Sequence, residues 1–265
     1  MEPHDTLDGK VAIVTGAGSS GPGVGTGKAI SVLLARAGAK VALVDKFPER
    51  AEETLALIVA DGGEAVVVPA DLAEIPACQE VVDRTVAQWG RLDVLVNNAA
   101  IASTTSILDT SDELYQQVVA INQTAPFMLC RAAIPEMSKV GGGAIVNITS
   151  IAAMRGTGGH GQAAYATSKA ALVGLMTDLV DAYGKRNIRV NCVAPGIVDT
   201  PMRAQALAMG GLKPGQVDFG AMVPLGREGT AWDVAEMVRF LVGPQGNYIS
   251  GLLIPVDGGK TSTSH

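Results

Sequence analysis

Short runs of β-branched and other apolar residues alternate along this chain with longer stretches whose apolar positions recur at helical spacing. The runs predict strands at Val11–Thr15, Lys40–Val44, Ala65–Pro69, Asp93–Val96, Ala144–Ile148, Ile188–Val193 and Leu252–Pro255. The longer stretches predict helices near Gly27–Arg36, Glu49–Ala60, Glu74–Trp89, Asp112–Lys139, Gln162–Gly184 and Ala231–Leu241. Uninterrupted apolar strands are buried on both faces, so the alternation predicts repeated βαβ units and a parallel sheet covered by helices on each side. One long irregular stretch, Pro195–Arg227, is predicted to be a lid or binding loop, with residues 196–226 covering substrate.

Composition narrows the class. The 265 residues are 48% hydrophobic with no compositional break, which predicts one α/β domain over residues 1–265. A formal net charge of −6 without a Lys/Arg cluster argues against nucleic acid as a partner. Cys78, Cys130 and Cys192 are too few and scattered for a disulfide framework and read as buried core residues. The polar segment Met1–Asp8 has no apolar signal region and no stretch has the length of a membrane span, so a cytoplasmic protein is expected. No His/Cys/Asp/Glu cluster has metal-ligand spacing.

Chemistry enters at three places. The first strand runs into Gly16, and the next helix begins at Gly25-Thr26-Gly27, where backbone N–H groups and the helix dipole suit a dinucleotide pyrophosphate. Asp45 ends the second strand 20 residues beyond Gly25, where a carboxylate can accept from an adenosine ribose and would repel a 2′-phosphate, so NAD is expected over NADP. The bland reading of Asp45 is a cap for the helix starting at Pro48-Glu49. Tyr165 and Lys169 share one helix face, roughly 6 Å apart along the axis, downstream of Ser150. Such pairs are commonly two solvated side chains, and the glycine turn and Ser150 in the same order turn the reading toward hydride transfer.

With Asn97-Asn98-Ala99-Ala100 and Pro195-Gly196, these residues make the chain resemble the short-chain dehydrogenase/reductase family, of the classical type, over essentially its whole length. The resemblance implies a single-domain, Rossmann-type doubly wound sheet of seven parallel strands and an NAD(P)-dependent oxidoreductase. It implies that Asp71 and Leu72 hold the adenine, and that Asn97, Asn98 and Ala99 border the cofactor and brace the sheet. It also implies that Val198 and Thr200 hold the nicotinamide amide, and that Asn122 positions a water linking Lys169 to solvent. Two features depart from the family pattern. Eight residues separate Gly16 from Gly25 where three are usual, and the segment from Ser150 to Tyr165 is longer by about two residues around Gly158–Gly161. His160, in that segment, reads as a surface or substrate-wall residue.

Alcohol oxidation needs a base near the working pH, and a free phenol at pKa about 10 is too weakly ionised. An ammonium about 5 Å away at an effective dielectric of 20 is worth roughly 3 kcal/mol, which predicts a Tyr165 pKa lowered by Lys169. Tyr165 is then the acid/base, Ser150 holds the substrate oxygen, and Lys169 also binds the nicotinamide ribose. Between Pro201 and Val223 apolar residues and methionines outnumber charges, with Arg203 and Arg155 as the obvious anchors for a substrate carboxylate. The expected activity is NAD-dependent interconversion of a hydrophobic secondary alcohol, cyclic, aromatic or terpenoid-like, and its ketone. The competing readings are an NADP-dependent 3-oxoacyl-carrier-protein-type ketoreductase and a non-catalytic NAD-binding sensor. Pro135 and Asp181 stand where carrier-docking ketoreductases have arginines, and the intact catalytic set weighs against a sensor. Apolar residues of the two long helices, Phe127, Met128, Ala132, Leu172, Leu175 and Met176, together with the resemblance predict a homotetramer.

Overall fold

The computed structural model describes residues 6–156, 161–209 and 216–263. Its sheet is built from β1 (Val11–Thr15), β2 (Lys40–Asp45), β3 (Ala65–Pro69), β4 (Val94–Asn97), β5 (Gly143–Ile148), β6 (Ile188–Pro195) and, after the two-residue β7 (Val198–Asp199) and β8 (Gly229–Thr230), β9 (Leu253–Val256). The seven-stranded sheet has the order β3-β2-β1-β4-β5-β6-β9, and every pairing is parallel. Each predicted strand is present within one or two residues, because a strand buried on both faces is a local apolar run. The order reverses between β1 and β4, and the crevice at such a switch point, beyond the carboxyl ends of the strands, is where this sheet type binds ligands.

Helices α1 (Thr26–Arg36), α2 (Pro48–Ala60) and α8 (Ala231–Val242) cover one face of the sheet, and α3 (Ile75–Trp89), α5 (Ala125–Lys139) and α6 (Ala163–Tyr183) the other. The two core clusters follow the alternation of each strand: Ala12 and Val14 of β1 face α1, whereas Ile13 faces α3 and α5. Cys78, Cys130 and Cys192 are buried and unpaired, as expected. No helix among the described residues is long and apolar enough to cross a membrane.

Two elements differ from expectation. The helix predicted over Asp112–Lys139 is divided into α4 (Asp112–Val119) and α5 by a π-helical turn at Ala120–Thr124. Pro126 has no N–H for the carbonyl of Asn122, so the regular ladder cannot continue through this point. The stretch predicted as irregular contains α7 (Pro201–Met209). Pro201 suits a first helical position, and Ala204, Ala206, Leu207 and Ala208 are strong helix formers; the glycines and proline that follow hid the short element.

Candidate active site

Ser150 lies two residues beyond the end of β5 and caps a short 3₁₀ turn, its Oγ accepting from the Ala152 N–H at 3.1 Å. Tyr165 and Lys169 occupy the first turns of α6. Lys169 is 2% exposed and its Nζ donates to the Ile148 carbonyl at 2.8 Å, which brings the ammonium to the end of the strand that carries Ser150. The same ammonium lies 5.8 Å from the centre of the Tyr165 ring, and the Ser150 hydroxyl hydrogen-bonds the phenol. The three side chains predicted to act together are therefore brought together.

Their electrostatics differ from expectation. Tyr165 is half-buried, and burial pushes its phenol up, the Ser150 hydrogen bond opposing the rise. The lowering by Lys169 that the spacing predicted is not found: desolvation raises the phenol, and what opposes it is the Ser150 hydrogen bond. Burial pulls Lys169 itself down to about 8.

Asn122 sits in the π-helical turn, fully buried, and its side chain closes a junction of three segments. Its Oδ1 accepts from Ile101 N–H at 2.9 Å, and its Nδ2 donates to the Ile101 carbonyl at 3.0 Å and to Ser168 Oγ at 3.1 Å. Ser168 in turn donates to the Tyr165 carbonyl at 2.8 Å. Asn122 thereby ties the segment after β4 to the helix turn that carries Tyr165.

The cradle beside β1 is defined by close backbone approach. Gly16 has φ +62°, and a side chain at Gly27 would overlap the Gly16 carbonyl, so α1 begins against the end of β1. Gly25 is the N-cap of α1 and offers no side-chain cap. Asn98 Nδ2 donates to the Thr15 carbonyl at 2.8 Å and to the Gly16 carbonyl at 3.1 Å. Thr15 Oγ1 accepts from the N–H groups of Asn98 and Ala99, both at 3.0 Å. Asn97 Nδ2 donates to Asn147 Oδ1 across the sheet at 2.8 Å, the expected brace. Asp45 Oδ2 accepts from Gly18 N–H and Oδ1 from Phe47 N–H, each at 3.0 Å, so the carboxylate pins the glycine loop as well as turning the chain toward α2. Lys46 pairs with Asp71 at 2.7 Å, which lowers the Asp71 pKa, and Leu72 beside it is buried. On the far side Pro195 ends β6, Gly196 packs where a Cβ would stand 2.6 Å from Asp257 Cβ, and Val198 is buried. Thr200 Oγ1 accepts from Arg203 N–H at 3.4 Å at the start of α7. An uncapped helix start, a carboxylate at the end of β2 and glycines against β1 fit a dinucleotide.

Both arginines that could anchor a substrate carboxylate are committed to the protein. Arg203 is paired with Glu228 and stacks 4.2 Å from the centre of the Phe219 ring. Arg155 Nη1 donates to the Lys260 carbonyl at 2.5 Å and to the Thr263 carbonyl at 3.3 Å. Gly161 approaches Ser106 so closely that a Cβ would lie 2.8 Å from its Cα, which joins the segment before Tyr165 to that after β4. His160, Gly158 and Gly159 lie outside the described residues. Sequence reasoning gave Thr15 no role and took Ser168 only as a neighbour of the catalytic set, because the signal of each is just a hydroxyl beside a motif residue.

Comparison with known proteins agrees with this geometry. A family model described as enoyl-(acyl carrier protein) reductase matches residues 22–261. An uncharacterised oxidoreductase of Thermotoga maritima is 37% identical over 97% of this chain and 99% of its own. The 3-oxoacyl-[acyl-carrier-protein] reductase of Chlamydia muridarum is likewise 37% identical, over 97% and 99%. A protein of Beutenbergia cavernae assigned as an NAD(P)-dependent gluconate 5-dehydrogenase, with bound NADP at low occupancy, superimposes with TM-score 0.88 at 35% identity, covering 98% of this chain and 100% of that one. A 7α-hydroxysteroid dehydrogenase complexed with NADH and 7-oxo glycochenodeoxycholic acid superimposes with TM-score 0.87 at 32% identity, covering 97% and 96%.

Proposed function

The chain belongs to the short-chain dehydrogenase/reductase family, and on that premise we propose that it is an NAD-dependent dehydrogenase interconverting hydrophobic secondary alcohols and their ketones. A bound nicotinamide supplies the acceptor for the hydride that leaves the alcohol carbon. Tyr165 removes the hydroxyl proton in oxidation and returns it in reduction. Ser150 holds the substrate oxygen through a neutral hydrogen bond, and Lys169 holds the nicotinamide ribose and adds positive charge beside the phenol. In this reading Gly16, Gly25 and Gly27 receive the pyrophosphate, Asp45 the adenosine ribose, and Asp71 and Leu72 the adenine. Asn98, Ala99, Pro195, Gly196, Val198 and Thr200 line the nicotinamide end.

The preference for NAD rests on Asp45, because Lys46 is drawn to Asp71 and leaves the Asp45 carboxylate to repel a 2′-phosphate. Turnover with NAD is expected to exceed that with NADP by at least about tenfold in kcat/KM, and Asp45→Ala to narrow the gap. Equal use of both cofactors by the unaltered protein would refute the assignment.

The observation that carries the substrate class is the engagement of Arg155 and Arg203. With both committed, an incoming carboxylate lacks those two cations, while Ile107, Met154, Met222 and Leu225 are exposed on the segments around the site. A panel of matched apolar, sugar-acid and short hydroxy-acid alcohols, followed by absorbance of the reduced nicotinamide, tests the reading. A preference for gluconate-like acids would overturn it.

A carrier-dependent ketoreductase is the second reading, favoured by relatives that are named so. Against it stand the exposed Pro135 and Asp181 at the expected arginine positions, and a net charge of −6 that repels an acidic carrier. Faster reduction of a carrier-bound 3-oxoacyl group than of any free ketone would select it.

A further inference from the structure

The eight residues between Gly16 and Gly25 are pinned at both ends. Ala17 N–H donates to the Val44 carbonyl at 3.1 Å and Gly18 N–H to Asp45 Oδ2 at 3.0 Å, which fixes the start of the loop to β2. Ser19, itself buried, accepts from Gly25 N–H through its Oγ at 2.8 Å, which fixes the end of the loop to the start of α1. Residues 20–24 therefore bulge outward, with Gly23 at φ +106°, a conformation that side chains other than glycine rarely adopt.

The bulge meets α7. Gln205 Nε2 donates to the Ser20 carbonyl at 2.6 Å across a sequence separation of 185. A Cβ at Gly21 would stand 3.7 Å from Pro201 Cβ and 3.9 Å from Gln205 Nε2, and one at Gly23 would stand 3.7 Å from Pro201 Cγ. The joint thus runs from the cradle at Gly25 to Pro201 and Gln205, in the first two turns of α7. A three-residue glycine turn has no chain with which to make it.

We propose that residues 20–24 form a strap that joins α7 over the cofactor cleft, with Gln205 and the Ser20 carbonyl as positioning residues that set how long the dinucleotide stays bound. The proposal rests on the reading that a nicotinamide dinucleotide lies against Gly16–Gly27. Cofactor release then requires the strap to part from the lid helix, while the chemistry at Tyr165 does not.

The test is the dissociation rate of NADH, followed by stopped-flow fluorescence without substrate. Gln205→Ala and Gln205→Glu, neither of which can donate to the Ser20 carbonyl, are expected to release NADH about fivefold faster, the effect of losing one neutral hydrogen bond. Deleting residues 20–24 restores the three-residue spacing and is expected to raise the rate by at least as much. Adding Gln205→Ala to that deletion is expected to change nothing more, because the two act through one contact. Unchanged rates in both Gln205 variants, or additive effects in the combined variant, would overturn the strap while leaving the cofactor reading intact. If the unaltered protein bound no NADH, the cofactor reading itself would fall.

Discussion

Lys169 keeps its ammonium almost wholly buried, with the Ile148 carbonyl as acceptor, and burial lowers its pKa from 10.5 to about 8. Between those values the unfolded chain holds a proton that the folded chain has released. Stability therefore rises as pH climbs from about 8 to 10.5, and below that window the buried charge costs on the order of 3 kcal/mol. Lys169→Met is expected to raise the thermal midpoint of the cofactor-free protein at pH 7, with the gain gone by about pH 10.5; unchanged melting curves across that range would contradict it. The same substitution is expected to weaken turnover and cofactor binding together. Tyr165→Phe keeps the ring and removes the proton-transfer group, so kcat is expected to fall at least about 100-fold with NADH affinity held. Near-normal turnover in that variant would refute the mechanism. The residue types and order of this set were readable in the sequence, whereas the upward shift of the Tyr165 phenol was not. Spacing along a helix reports proximity but says nothing about the loss of water around a group.

At the level of elements, the π-helical turn at Ala120–Thr124 is the joint that ties the segment after β4 to the start of α6. Asn122 there satisfies both backbone groups of Ile101 and reaches Ser168, so its loss leaves backbone polar groups unpaired. Asn122→Ala is expected to lower the free energy of unfolding in urea by about 2 kcal/mol, with a loss of kcat larger than any change in KM. A variant as stable and active as the parent would show that the junction does no such work. The divided helix was foreshadowed by Pro126, but an apolar pattern that stays in phase on both sides conceals a single wide turn.

For the whole molecule, a groove of about 470 Å³ lies along α5 and α6, where Phe127, Met128 and Leu175 share the lining with Gln123, Thr124 and Asp178. Phe127 is 51% exposed, whereas Ala132, Leu172 and Met176, also predicted to be surplus surface, are packed into the subunit's own core. Phe127, Met128 and Leu175 are the apolar residues that an assembly through these helices would cover. Sedimentation at micromolar concentration is expected to give a species four times the 27.1 kDa chain, and Phe127→Asp to dissociate it. A monomer under those conditions would contradict the assembly.

What the sequence determined by itself was the strand set, the order of the glycine turn, Ser150, Tyr165 and Lys169, and the carboxylate at the end of β2. These are signals of period, of a local turn, or of residues a few positions apart. The tertiary structure decided the rest. It closed Arg155 onto the carbonyls of Lys260 and Thr263, paired Arg203 with Glu228, drew Lys46 away from Asp45 to Asp71, and brought Ser20 to Gln205. Each of these is a choice of one partner among several of equal chemistry. That choice is made by which chain segments the packed sheet and helices bring within hydrogen-bond distance, and no local pattern encodes it.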